Sequence, residues 1–130
     1  TFSYITTEVT ENPDDGLEGL ELVNVPQTIA TVDVSYVSKM GLGGRVMFRD
    51  VGEYFTSTDN LATYGGYTVT NASIFYEFNP MSVSSNRIFF EVKNVFDALY
   101  AEAVFGDVGS QLFGPAPTRN FVLGINYSFN

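Results

Sequence analysis

The chain has 130 residues and a net charge of −9, and it contains no histidine, cysteine or tryptophan. That composition excludes thiolate metal sites and histidine-dependent triads or zinc-hydrolase helices, and it argues against nucleic acid, whose phosphates need a Lys/Arg stripe. Charged residues are only 16%, against 45% hydrophobic and 15% aromatic (twelve Phe and eight Tyr), a bias that suits pleated sheets.

No run of about 18 apolar residues occurs, which excludes a membrane-spanning helix. A transmembrane barrel needs only strands of about 9–11 residues with alternating polarity, and stays open. The chain begins directly on the strand-like Thr1-Phe2-Ser3-Tyr4 with no signal peptide in view, so a mature protein or a fragment is expected. A first, less regular strand is expected over residues 1–9. In 27–38, Ala30, Val32, Val34 and Tyr36 face one way, with Thr31, Asp33 and Ser35 opposite. Residues 41–51 repeat the pattern, with Leu42, Val46 and Phe48 against Arg45 and Arg49. In 67–78, Ala72, Ile74, Tyr76 and Phe78 oppose Asn71, Ser73 and Glu77, and Phe75 breaks the alternation. In 87–95, Ile88, Phe90 and Val92 oppose Glu91 and Lys93. The cleanest case is 121–129, where Phe121, Leu123, Ile125, Tyr127 and Phe129 alternate with Gly124, Asn126 and Ser128, broken only by Val122.

These amount to about six strands of roughly ten residues, longer than the usual 5–6 of soluble sheets. Connections 37–43 and 79–86 are tight, while 10–26, 52–66 and 98–118 are long. Short turns on one side and long loops on the other match the periplasmic and extracellular ends of an outer-membrane barrel. Tyr36, Tyr76, Phe78, Tyr127 and Phe129 fall beside the short turns, where an interfacial girdle belongs. Asp33, Arg45, Arg49, Glu77, Glu91 and Lys93 share the face opposite the apolar positions, which in a barrel is the lumen. An Arg facing lipid near the bilayer midplane would cost about 2–4 kcal/mol. A soluble sandwich with a solvated outer face predicts the same alternation, but it requires neither strand length nor loop asymmetry of this kind. Helical periodicity is absent, and 97–104 is the only stretch expected to make a turn of helix.

Other features carry less. The carboxylates Glu8, Glu11, Asp14, Asp15, Glu18 and Glu21 are dense enough to suggest Ca²⁺, yet their spacing is not that of an EF-hand, and a solvated loop accounts for them. Gly41-Leu42-Gly43-Gly44 precedes no helix and reads as a tight turn. Asn71-Ala72-Ser73 and Asn126-Tyr127-Ser128 match a glycosylation acceptor by chance, inside expected strands. Asp97 and Arg119 flank the last long loop and are expected to pair structurally.

Two segments resemble a known family closely. The run Glu91-Val92-Lys93-Asn94-Val95-Phe96-Asp97-Ala98-Leu99-Tyr100 resembles the penultimate-strand signature of TonB-dependent receptors. The stretch Ala116-Pro117-Thr118-Arg119-Asn120-Phe121-Val122-Leu123-Gly124-Ile125-Asn126-Tyr127-Ser128-Phe129 is similar to the family's closing strand, although resembling proteins usually end on the aromatic and this sequence has Asn130 after it. Asn24-Val25-Pro26-Gln27-Thr28 and Gly66-Tyr67-Thr68-Val69-Thr70-Asn71-Ala72 resemble two of its strand starts.

The resemblance implies an all-β, antiparallel up-and-down transmembrane barrel of about 22 strands, of which residues 1–130 would supply the last six. The N-terminal plug and the TonB box would lie outside this sequence. It implies a non-enzymatic protein of the Gram-negative outer membrane, importing a scarce, bulky nutrient at TonB's expense, with a ferric-siderophore complex the first expectation. A passive porin or structural barrel and a soluble sandwich binding module are the alternatives. Expected partners are lipid and lipopolysaccharide, the rest of the barrel with its plug, the TonB complex and a metal chelate or other small nutrient. No cofactor is expected. Asn94, Phe96, Asp97, Tyr100, Pro117, Arg119, Tyr127 and Phe129 carry the barrel signature. Tyr54, Phe55, Tyr64, Phe105 and Phe113, ring-bearing residues of the long loops, are the candidate substrate contacts.

Overall fold

A computed structural model describes residues 1–11, 16–78 and 86–127. Among the described residues ten strands form in chain order: β1 (Phe2–Tyr4), β2 (Thr28–Val37), β3 (Leu42–Val51), β4 (Tyr54–Phe55), β5 (Thr63–Tyr64), β6 (Tyr67–Phe78), β7 (Asn86–Lys93), β8 (Ala101–Phe105), β9 (Leu112–Pro115) and β10 (Asn120–Asn126). Six of them make one sheet in the order β1-β2-β3-β6-β7-β10; β4 pairs with β5, and β8 with β9. The pairings of β1 with β2, β6 with β7, β7 with β10, β4 with β5 and β8 with β9 are all antiparallel.

The chain divides into two compact units. The loop unit comprises Thr1–Thr31, Arg49–Thr68 and Leu99–Ala116; the wall unit comprises Val32–Phe48, Val69–Ala98 and Pro117–Asn130.

In the wall unit, period-two alternation is realised residue by residue. β10 pairs with β7 so that Phe121 opposes Val92, Leu123 opposes Phe90 and Ile125 opposes Ile88. Directly opposed residues share a face, so these six side chains form one apolar surface, and Ile74 and Tyr76 of β6 extend it through Phe90 and Ile88. That surface is uncovered: Leu123 is 73% and Ile125 70% exposed. A sandwich would have buried it. The other face carries Glu77 paired with Arg87 at 3.1 Å, and Arg45 ion-paired with Asp33. Phe75, which interrupts the sequence pattern, lies on this polar face, and the Arg87 guanidinium sits 3.5 Å from its ring centroid. The interruption is thus a cation–π contact, worth about 0.5–2 kcal/mol. The rings of Phe75 and Phe89 also close over Gly43 and Gly124, where an added Cβ would lie 2.4 Å from a ring carbon.

The tight turn after β2 depends on Gly41, which has φ +88 and donates its N–H to the Ser38 carbonyl at 2.9 Å. A Cβ there would meet the Glu77 carbonyl oxygen at 2.1 Å. The expected turn at 79–86 falls, apart from Asn86, outside the described residues.

Several expectations are corrected. The first strand is short: the Ile5 N–H still reaches the Gln27 carbonyl at 2.9 Å, but from Thr7 onward the chain finds other partners. Val9 exchanges hydrogen bonds with Gly19 and Leu20, and the Thr7 hydroxyl accepts the Leu22 N–H, a local competitor to the ladder. Among the described residues β7 and β10 run eight and seven residues. No helical turn forms over 97–104. Asn94 and Asp97 adopt φ +52 and +56 and turn the chain sharply, after which β8 begins. The long connections at 52–66 and 98–118 are not plain loops, since each holds a hairpin.

In the loop unit those hairpins share a small core of Tyr54, Ala62, Ala101 and Val104, the last fully buried. Buried Thr56 ties them together: its hydroxyl donates to the Gly106 carbonyl at 3.1 Å and accepts from the Gln111 amide at 2.9 Å. The connection at 10–26 joins the same body, because Asn60 bonds the Glu21 backbone at both its N–H and its carbonyl.

Candidate functional site

The loop unit contains a cleft of about 280 Å³ lined by Asn24, Pro26, Ile29, Arg49, Val51, Tyr54, Tyr67, Glu102, Ala103 and Phe105. The strand positions reach it by parity. Arg49 and Val51 alternate with Phe48 and Asp50 along β3, so they share a side of that strand; Tyr67 opens β6. Tyr54 comes from β4, and Glu102, Ala103 and Phe105 from β8.

Two of the five expected contact residues, Tyr54 and Phe105, line the cleft. Tyr64 and Phe113 stand behind it: the Tyr54–Tyr64 ring centroids are 5.5 Å apart and the Tyr64–Phe113 centroids 6.3 Å. Tyr64 is fixed through its hydroxyl, which accepts the Ala101 N–H at 2.9 Å. Phe55 is not among the lining residues; it pairs with Thr63, and its carbonyl accepts the Asn24 N–H. Sequence reasoning placed Arg49 on the polar face and Tyr67 at a strand start but connected neither with the loops, and it did not single out Glu102. Parity along β3 and β6 could have pointed to Arg49 and Tyr67. Nothing local marks Glu102.

Electrostatically the cleft is mixed. Arg45, Arg87 and Arg119 each pair with a carboxylate, and Arg49 is the one arginine among the described residues that does not. The Asn24 side-chain oxygen is buried without a hydrogen-bond partner. Burial, with smaller contributions from Tyr64 and Tyr67, pushes the Tyr54 phenol up from its ordinary value. Tyr100, whose ring stacks on Tyr67 at 4.3 Å, is raised by burial and then by the Glu102 carboxylate. Both phenols therefore stay neutral at physiological pH and can stack and hydrogen-bond. Such a site can hold and orient a ligand; it assembles no nucleophile with a base.

The signature residues do different work. Asn94, buried to 3% exposure, is a clamp in the wall unit. Its amide donates to the carbonyls of Ala98 at 2.8 Å and Pro117 at 3.4 Å, and its side-chain oxygen accepts the Ala98 N–H at 2.8 Å. Asp97 accepts the Arg119 N–H at 2.7 Å, with the guanidinium 3.8 Å away. Phe96 and Tyr127 are exposed, Tyr100 belongs to the stacked pair beside the cleft, and Phe129 lies outside the described residues. The acidic positions of residues 8–21 gather no cluster of three potential metal ligands among the described residues.

The family description "TonB dependent receptor-like, beta-barrel" matches residues 1–95. Among solved structures, the chain is similar to BauA, the ferric preacinetobactin receptor from Acinetobacter baumannii, with a TM-score of 0.76 and 18% identity. The alignment covers 98% of this chain and 19% of that receptor, so the chain spans about a fifth of its length. No curated protein matches. At 18% identity the likeness speaks for the fold, and it agrees with the antiparallel wall and its paired faces. The family match covers well over half of the residues, and the chain belongs to the TonB-dependent receptor-like β-barrel family.

Proposed function

We propose that residues 1–130 form the C-terminal part of the wall of a Gram-negative outer-membrane receptor, about the last six of some 22 strands, in a protein whose plug domain lies outside this sequence. The protein imports a scarce, bulky nutrient, a ferric-siderophore complex, and spends energy delivered by the TonB complex to release it. In this reading the apolar face of β6, β7 and β10 meets lipid, and the ion-paired face meets the lumen. The connections at 10–26, 52–66 and 98–118 face the cell exterior beside lipopolysaccharide. The cleft, together with Tyr54, Tyr64, Phe105 and Phe113, contributes to the vestibule where cargo docks. No covalent chemistry is needed.

The observation that carries the reading is the sheet itself. One face is uncovered and apolar; the other carries the charges, among them the Arg45–Asp33 and Arg87–Glu77 pairs. An open sheet edge is not tolerated in hydrocarbon, so six strands of this kind need a closed barrel to complete them. That the similar solved structure is a ferric-chelate receptor supports iron as the cargo metal. The test is uptake of radiolabelled iron by iron-starved cells expressing the whole receptor, with and without a functional TonB. Uptake that requires both is the expected result. Uptake indifferent to TonB would point to passive diffusion, and loss of the receptor without effect on iron uptake would remove iron as cargo.

A further inference from the structure

The cleft of the loop unit is too small for a whole chelate. Its volume, about 280 Å³, falls at or below the lower end of the roughly 300–1,000 Å³ typical of ligand pockets. It suits one ring-sized arm. Its walls are aromatic, from Tyr54, Tyr67 and Phe105, with Tyr100 stacked behind Tyr67. In a chain of net charge −9, an arginine beside such walls with no carboxylate within ion-pair distance stands out. Every other arginine in the sequence is neutralised by Asp33, Glu77 or Asp97. A guanidinium left unpaired in a concave site is a ready partner for a planar oxyanion, which it can bind through two parallel hydrogen bonds. The Asn24 side-chain oxygen, buried and unpartnered, accepts a donor instead, as does the Glu102 carboxylate.

We infer that Arg49 is a specificity-determining residue: the cleft takes one planar aromatic arm of the ligand, with its anionic oxygen against Arg49 and a hydroxyl or amide donor toward Asn24 and Glu102. Salicylate- and catecholate-type groups have this chemistry; an uncharged or cationic arm does not. The two acceptors set the arm's direction, because an oxyanion turned toward Glu102 would face a like charge. The neutral phenols of Tyr54 and Tyr100 add stacking surface without adding repulsion. The inference rests on the import reading for the identity of the whole ligand but not for the cleft's own preference.

The test uses the purified full-length receptor in detergent, and ligand-observed NMR titration of salicylate against its uncharged analogue salicyl alcohol. The wild type is expected to favour salicylate by about tenfold, equivalent to about 1.4 kcal/mol. Arg49→Gln is expected to erase that preference by weakening salicylate far more than salicyl alcohol, and Arg49→Lys to keep part of it. Heat-modifiability on gels verifies that each variant is a folded barrel. Equal binding of the two probes to wild type, a preference that survives Arg49→Gln, or no saturable binding up to about 10 mM would each overturn the inference. Iron uptake dependent on TonB could persist through any of these results, so the two readings fail separately.

Discussion

At the scale of single residues, the informative side chains are those that hold backbone in unusual places. Asn94 sits at φ +52, a region asparagine tolerates better than most residues, and its amide serves both backbone groups of Ala98. Asn94→Ala leaves that N–H and carbonyl without their partner, at a cost of about 1–3 kcal/mol. The expected outcome is a lower melting temperature of the full-length receptor by heat-modifiability, with Asn94→Asp, which keeps the acceptor, falling between. Asp59 gives a pH-dependent case. The Ser57 hydroxyl, and then the Leu61 N–H, donate to its carboxylate and hold its pKa below the usual aspartate range. The folded pKa is depressed, so the stabilisation is present above the unfolded value of about 3.9 and disappears as pH falls through the folded one. Melting curves of wild type and Asp59→Asn should differ at pH 7 and converge in acid; a gap that widens in acid would contradict this. The Asp97–Arg119 pair was legible in the sequence because both residues flank one loop. The clamp at Asn94 was not, because it depends on a left-handed backbone and on Pro117, far along the chain.

Among the elements, strands and tight turns were readable wherever one face of a segment had to differ from the other. β2, β3 and β6 match the alternating segments within about a residue at either end, as period-two patterning leads one to expect. The hairpins β4–β5 and β8–β9 were not legible. Strands of two residues in the first and of five and four in the second are too short to show a clear period, and what stabilises them is the burial of Val104 and Ala62 together with the Thr56 and Gln111 bonds between chain-distant residues. The turn after β2 offers a sharp contrast between neighbouring glycines. Gly41→Ala combines φ +88 with a 2.1 Å clash against the Glu77 carbonyl, whereas a Cβ at Gly44 meets nothing nearer than 3.4 Å. A left-handed conformation costs a non-glycine residue about 1–2 kcal/mol before any clash is counted. The yield of folded receptor in outer-membrane fractions should drop for Gly41→Ala and hold for Gly44→Ala; equal yields would contradict the assignment.

For the whole molecule, surface area decides whether these residues suffice alone. The chain exposes 8960 Å² at 14.3 kDa, whereas a folded water-soluble monomer of that mass exposes about 6,800 Å² by the usual scaling. Much of the excess is apolar: Phe121, Leu123, Ile125, Val34 and Ile74 are all well over half exposed, far beyond scattered surface hydrophobes. β1 and β10 also end the six-stranded sheet with unpaired edges, which invite pairing with other chains. Residues 1–130 expressed alone are expected to aggregate in water and to show no cooperative melt; a monomeric, cooperatively unfolding product would contradict this. The wall was legible because one apolar face set against one polar face imposes alternation on every strand. The cleft was not, because it draws on β3, β4, β6 and β8 and on residues 24–29, a convergence that only the fold creates.

The glycines beneath the rings of Phe75 and Phe89 bear on how such a wall avoids assembling wrongly. Alternation forbids a one-residue slip, because every side chain would change face. It is blind to a slip of two, which returns apolar to apolar and polar to polar. Only Gly124 leaves room for Phe89, since any larger residue's Cβ would fall 2.4 Å from the ring. A two-residue shift between β7 and β10 would set Phe89 against Val122 or Asn126 instead of Gly124. Gly43 and Phe75 repeat the arrangement at β3 and β6. Each ring and its notch act as a key and keyway, disfavouring the one class of misalignment that hydrophobicity cannot detect.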